Sequence, residues 1–136
     1  MDEAERAAGP ASCLVSHIDH LVITVRDIDR AVEFYARVLG MQPVTFGNGR
    51  RALRFGSQKL NLQLLGQETR NYAGIGSADI CLIATVPLER VIAAVEREGV
   101  AIIDGPGERA GATGTIMSVY FNDPDGNLIE VSTYPG

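Results

Sequence analysis

Three residues of metal-ligating type, His20, Asp79 and Glu130, stand in segments that are otherwise apolar and β-branched. Asp79 opens the run DICLI, and Glu130 sits in the middle of LIEVST. A carboxylate on a buried sheet face is costly unless it is paired or bound to a metal. One neutral imidazole with two carboxylates suits a divalent first-row metal such as manganese, iron, nickel or zinc, or magnesium. Such a set leaves coordination positions for water or substrate, which Lewis-acid chemistry requires. Each residue taken singly has a plainer explanation. His20 could be a hydrogen-bonded strand histidine, Asp79 a strand-opening carboxylate, and Glu130 the partner of Arg54 or Arg109.

The elements that position these residues form an internal repeat. His20 and Asp79 are each followed by an apolar strand, then a helix. Each helix is closed by a glycine twenty residues on, at Gly40 and Gly99, so the offset is 59 throughout. In the first unit, residues 17–25 read as a strand, and Asp27 or Asp29 offers a helix N-cap. Ile28, Ala31, Val32, Tyr35, Val38 and Leu39 then form one helical stripe, which makes Tyr35 a core residue. In the second unit, residues 79–85 read as a strand, Pro87 suits the first helical turn, and Leu88, Val91, Ile92 and Val95 form the stripe. Further strands are expected at 52–55, 59–65, 116–121 and 127–134, with Gly-rich connections at 47–49 and 105–114. The repeats span about residues 17–66 and 77–134. Together they predict an α+β fold of tandem βαβββ modules, a half-barrel cup with helices outside.

Strand alternation assigns the faces. His20, Val22 and Thr24 share one face; so do Asp79, Cys81 and Ile83, and again Leu128, Glu130 and Ser132. His17 falls on the opposite face from His20. The repeat matches Glu130 with Asn61 in LNLQL, so the pseudo-twofold axis relates His20 to Asp79 and Asn61 to Glu130. Asn61 and Gln63 share an inner face, as a fourth ligand, substrate contacts or a hydrogen-bonded lining. In the Gly105–Gly114 loop, Arg109 could bind a substrate carboxylate or phosphate bidentately, or remain a solvated arginine. Tyr120 and Ser118 share a face of the penultimate strand, with Ser118 a candidate substrate contact.

The 136 residues suit one domain, with 1–15 a flexible arm and 16–136 the domain. A formal charge of −5, with Arg50-Arg51 the only basic run, argues against nucleic acid and anionic membranes. The longest apolar stretch, Leu21–Val25, is too short to span a bilayer. The acidic start Met1-Asp2-Glu3-Ala4-Glu5 lacks a signal-peptide core, which predicts the cytoplasm. Cys13 and Cys81 do not make a disulfide framework. Both are expected as free thiols, with Cys81 buried.

The segments IDHLVITVRDIDRAVEFYARVLGM, GSADICLIATVPLERVIAAVEREGV and FNDPDGNLIEVSTY resemble the vicinal oxygen chelate superfamily, over about Ile18 to Tyr134. They are most similar to its glyoxalase-domain-containing subgroup. The resemblance implies paired βαβββ modules, a homodimer, a small-molecule substrate and a divalent metal at His20, Asp79 and Glu130. An exposed sheet edge also favours a second copy. The chain departs from the pattern at Asp79, where many members have His, and at Asn61, where related glyoxalase I enzymes have Glu. The leading expectation is a lyase or isomerase whose substrate chelates the metal through vicinal oxygens while Glu130 moves a proton. The alternatives are an iron(II) extradiol dioxygenase, for which Tyr120 stands ten residues before Glu130, and a non-catalytic drug-sequestering protein. The extradiol signature's upstream His is missing, since residues 111–113 read Gly-Ala-Thr.

Overall fold

The computed structural model describes residues 12–136. The arm expected over 1–15 falls mostly outside the described residues; of its remainder, Leu14 and Val15 are exposed.

Two modules follow each other with the same order of elements. The first contains β1 (His20–Val25), α1 (Ile28–Leu39), β2 (Gln42–Phe46), β3 (Arg50–Phe55) and β4 (Gln58–Leu64). The second contains β5 (Asp79–Ile83), α2 (Leu88–Arg97), β6 (Asp104–Ala110), β7 (Thr115–Asn122) and β8 (Leu128–Thr133). Each makes an open four-stranded sheet, ordered β1-β4-β3-β2 and β5-β8-β7-β6. The crossover helix makes the first strand parallel to the last, and the remaining pairs are antiparallel hairpins.

Local chemistry sets the helix ends. The Asp27 carboxylate accepts from the Arg30 amide at 3.1 Å, capping α1. Gly40 ends it at φ 70°, a left-handed conformation that costs glycine nothing. The buried stripe Ala31, Val32, Phe34, Tyr35 and Val38 packs on Leu53, Leu60 and Leu62. The same cluster runs on into Val91, Val95, Val119, Phe121 and Ile129 of the second module. The two sheets therefore share one core through their helix-covered faces, and their polar faces lie on its far sides. No helix among the described residues is long and apolar enough to cross a membrane.

Several expectations are corrected. Residues 42–46, given no element, form β2. The loop expected over 105–114 is largely β6, laddered to β7. Both are edge strands containing Pro or Gly, which sheet interiors exclude and edges tolerate. Gly105 is required there, because a Cβ would strike the Ser118 carbonyl oxygen. His17 precedes β1 rather than facing away within it; its Nδ1 lies 2.6 Å from Ser16 Oγ. Cys81 is exposed, because its face of β5 is the polar one.

Candidate active site

The ladders confirm the internal alignment at the level of register. Val22 faces Asn61 in the first sheet, and Cys81 faces Glu130 in the second. The polar face of the second sheet thus carries Asp79 and Cys81 on β5, Glu130 and Ser132 on β8, and Ser118 and Tyr120 on β7, where Tyr120 lies directly opposite Glu130. An open depression of about 260 Å³ is lined there by Cys81, Ile116, Glu130 and Tyr134. A larger groove of about 490 Å³ runs past Leu88, Ile92 and Met117, but no comparable set of polar groups converges on it.

Glu130 is held through one oxygen. Ser118 Oγ donates to its Oε2 at 2.6 Å. Ser132 Oγ lies 2.6 Å from Ser118 Oγ and 3.3 Å from the same Oε2, and Cys81 Sγ lies 3.3 Å from Ser132 Oγ. Each of these groups has one proton to give. The chain is satisfied when Cys81 donates to Ser132, Ser132 to Ser118, and Ser118 to the carboxylate. The serine hydrogen bonds fall on Oε2, and Tyr120, opposite on β7, is also close enough to act on the carboxylate. Burial raises the Cys81 thiol above its ordinary value, only partly offset by Ser132, and the charges of Glu130 and Asp79 raise it further. In a Cys13→Ser chain, the iodoacetamide labelling rate of Cys81 should climb about tenfold per pH unit and show no plateau below about pH 9. A plateau near pH 7 would mean a thiolate, and the donor chain would run the other way.

Tyr120 is also raised, chiefly by burial and then by Glu130, with Arg109 opposing. Arg109 Cζ sits 5.2 Å from the ring centroid, and its Nη2 lies 3.0 Å from Asp104 Oδ2. Arg109 is therefore a strand residue committed to Asp104 and Tyr120, not a loop arginine. Neither it nor Arg54 is paired with Glu130.

On the first sheet, His20 Nδ1 lies 2.9 Å from Asp19 Oδ2. A ring N–H given to that carboxylate leaves Nε2 as the free lone pair, the arrangement that orients metal-ligating histidines. The hydrogen bond to His20 holds the Asp19 carboxyl below its ordinary range. Gln63 Nε2 donates to Thr24 Oγ1 at 2.9 Å. Asn61 is 4% exposed, yet its Oδ1 is buried with no hydrogen-bond partner. An orphaned oxygen on the face of His20, with an imidazole nitrogen turned away from Asp19, fits a divalent ion. Sequence placed Cys81 and Ser132 on the faces of Asp79 and Glu130 without a site role and did not mark Asp19, to which only adjacency to His20 could have pointed.

One chain does not assemble the set. Asp79 and Glu130 share the second sheet, whereas His20 lies on the first. Among the described residues, no three His, Cys, Asp or Glu side chains come together to hold a metal.

The family model of the Glyoxalase/Bleomycin resistance protein/Dioxygenase superfamily matches residues 17–131. The chain is 48% identical to virulence protein STM3117 of Salmonella typhimurium, over 89% of this chain and 86% of that one. The crystal structure of that protein matches with a TM-score of 0.84, covering 90% of this chain and all of the other. An integron cassette protein from the mobile metagenome of V. cholerae matches at 52% identity and a TM-score of 0.86, over 90% and 98% of the two chains. The glyoxalase domain-containing protein RDO1 of Mycosarcoma maydis is 45% identical over 88% of this chain and 69% of its own.

Proposed function

The chain belongs to the Glyoxalase/Bleomycin resistance protein/Dioxygenase superfamily, and from that premise we propose a metal-dependent lyase or isomerase acting on a small, oxygen-rich molecule, in a site built from two copies of the chain. One observation carries the reading: Asn61 Oδ1 is buried without a partner on the face of His20, whose ring is fixed through Nδ1 by Asp19. Structural residues have no need of that arrangement; ligands do.

His20 Nε2, Asp79 and Glu130 would hold the ion, with the Asn61 oxygen nearby on the first face. When bound, a divalent metal supplies Lewis acidity towards two adjacent substrate oxygens. Glu130 exchanges the substrate proton. Tyr120, kept protonated at neutral pH, serves as donor rather than base. Arg109 lies over the tyrosine ring. The Ser118–Ser132–Cys81 chain orients the Glu130 carboxylate.

The need for a second copy rests on where the edges lie. His20 is on β1 and Asp79 on β5, both edge strands. Leu21, Val22 and Ile83 on these strands are exposed. A partner that laid its β5 against β1 would cover these apolar groups and unpaired backbone, and bring His20 to Asp79 and Glu130.

Elemental analysis of untagged protein tests the reading. The parent should carry about one metal ion per chain, and a folded Glu130→Ala chain should lose it. Asp19→Asn, which releases the His20 ring, should weaken metal binding about tenfold in a chelator competition. Glu130→Ala chains retaining the parent's metal would reject the site. The tyrosine opposite Glu130 also suits ring cleavage, and oxygen uptake with catechols by an iron-loaded parent would move the assignment there.

A further inference from the structure

The only basic run in the sequence, Arg50-Arg51, is split by the fold. Arg51 turns towards α1, where its Nη1 lies 3.1 Å from Asp29 Oδ1. Arg50 points to the opposite face, the one bearing His20, and shares it with Arg54 and Lys59. The ladders impose this grouping: Phe46 is opposite Arg50, Arg54 opposite Lys59, and Lys59 opposite His20. Lys59 Nζ stands 3.6 Å and Arg50 Cζ 5.0 Å from the centroid of the Phe46 ring.

Among the described residues these cations form no ion pair, although Lys59 lies near enough to Asp19 to help hold its carboxyl down. Arg26, Arg37, Arg51 and Arg109 each hold a carboxylate, whereas among the described residues none pairs with Arg50, Arg54 or Lys59. The chain is acidic overall, so carboxylates are not scarce. Like charges directly opposite on an antiparallel ladder destabilise it, and Arg54 and Lys59 are such a pair. The Phe46 ring offsets part of this for Lys59 and nothing for Arg54. A local cost without a structural return marks a functional position.

We propose that this face receives the anionic end of the substrate, a carboxylate or a phosphate, with Lys59 and Arg54 in contact and Arg50 beside them across Phe46. The assignment rests on reading the cup as a substrate site and adds the charge of what enters it. An ammonium one ladder step from His20 and a guanidinium two steps away hold an oxyanion on the side of the imidazole.

The test is calorimetric titration of metal-depleted protein at low ionic strength, with inorganic phosphate and with malonate as probes. The parent should bind at least one of them saturably and lose affinity as salt rises. An Arg54→Gln/Lys59→Gln double variant should bind at least about tenfold more weakly. It should melt no lower than the parent, because the opposed charges are gone. An Arg37→Gln chain, which removes a cation already paired with Glu98 away from this face, should bind within about twofold of the parent. Tighter phosphate than malonate assigns a phosphoryl end, and the reverse a carboxylate. Equal binding by the parent and a folded double variant, or no saturable binding of either anion by the parent, overturns the proposal. No metal is present in the titration, so this result and the metal content of the Glu130→Ala chain fail independently.

Discussion

Equal amounts of His20→Ala and Glu130→Ala chains, each unable to bind metal alone, regain about a quarter of the parent's metal capacity once their subunits are allowed to exchange. The figure follows from the proposed geometry. Random pairing makes about half of the dimers mixed. In a mixed dimer one site combines both lesions, while the other draws His20 from one chain and Asp79 and Glu130 from its partner, all intact. A site built within one chain gives the opposite result, because every chain carries one broken ligand and mixing restores nothing. Metal content after subunit exchange and gel filtration reads the difference, from nothing to about a quarter. A mixture as empty as its components would reject the shared site and leave the ligand assignments to the single-variant measurements.

The second large effect is on stability. Asp123, in the turn between β7 and β8, is 5% exposed and accepts four hydrogen bonds. They come from Tyr35 Oη at 2.7 Å, the Asp125 amide at 2.8 Å, the Asn127 amide at 3.0 Å and Asn127 Nδ2 at 2.8 Å. Next to it, Asp125 accepts from the Arg26 amide at 3.0 Å. This turn therefore clasps the first module to the second. Asp123→Ala strands a fully buried tyrosine hydroxyl and two backbone amides, and should cost about 3–5 kcal/mol, a melting drop of roughly 10 °C or more. Tyr35→Phe removes one bond of the set and should cost about 1–1.5 kcal/mol.

Tyr35 carries a pH signature as well. Burial, then the Asp123 charge, pushes its hydroxyl far above the ordinary tyrosine value near 10. The folded chain keeps that proton while the unfolded chain releases it. Above about pH 10 the folded state binds more protons, and stability falls by up to about 1.4 kcal/mol per pH unit. Urea titrations of the parent and Tyr35→Phe should diverge below pH 10 by the lost hydrogen bond and converge above it. A constant gap through pH 11 would contradict the burial of this hydroxyl.

Much of the architecture was legible because it is written twice. The offset of 59 residues and the two-residue alternation predicted which side chains share a face, and the ladders reproduce the pairing of Asn61 with Glu130. Signals failed where position is set by partners rather than by local pattern. Strands β2 and β6 are edges whose Pro and Gly read as turns, and pairing with β3 and β7 decides them. Cys81 reads as buried among Ile80, Leu82 and Ile83, but the face it shares with Glu130 is open. The hydroxyls that fix Glu130 are ordinary strand serines until the register sets them side by side. Internal symmetry showed His20 and Asp79 to be equivalent. Equivalence is not proximity, and helix-to-helix packing puts the two on far sides of one core. Arg50, Arg54 and Lys59, scattered in the sequence, become one surface for the same reason that Arg50 and Arg51 part: side chains alternate along a strand.

That continuous core, shared between the modules of a single chain, has a consequence for assembly. Each chain closes a hydrophobic interior by itself, so association into the proposed dimer would be rigid docking of finished bodies rather than coupled folding. A dissociated subunit stays native, and its melting temperature is independent of protein concentration. Metal occupancy of the proposed shared site is not: per chain it falls in proportion to subunit concentration once dimers come apart. Dilution, with no denaturant and no loss of structure, is then enough to switch the site off, and excess metal is enough to draw the subunits back together.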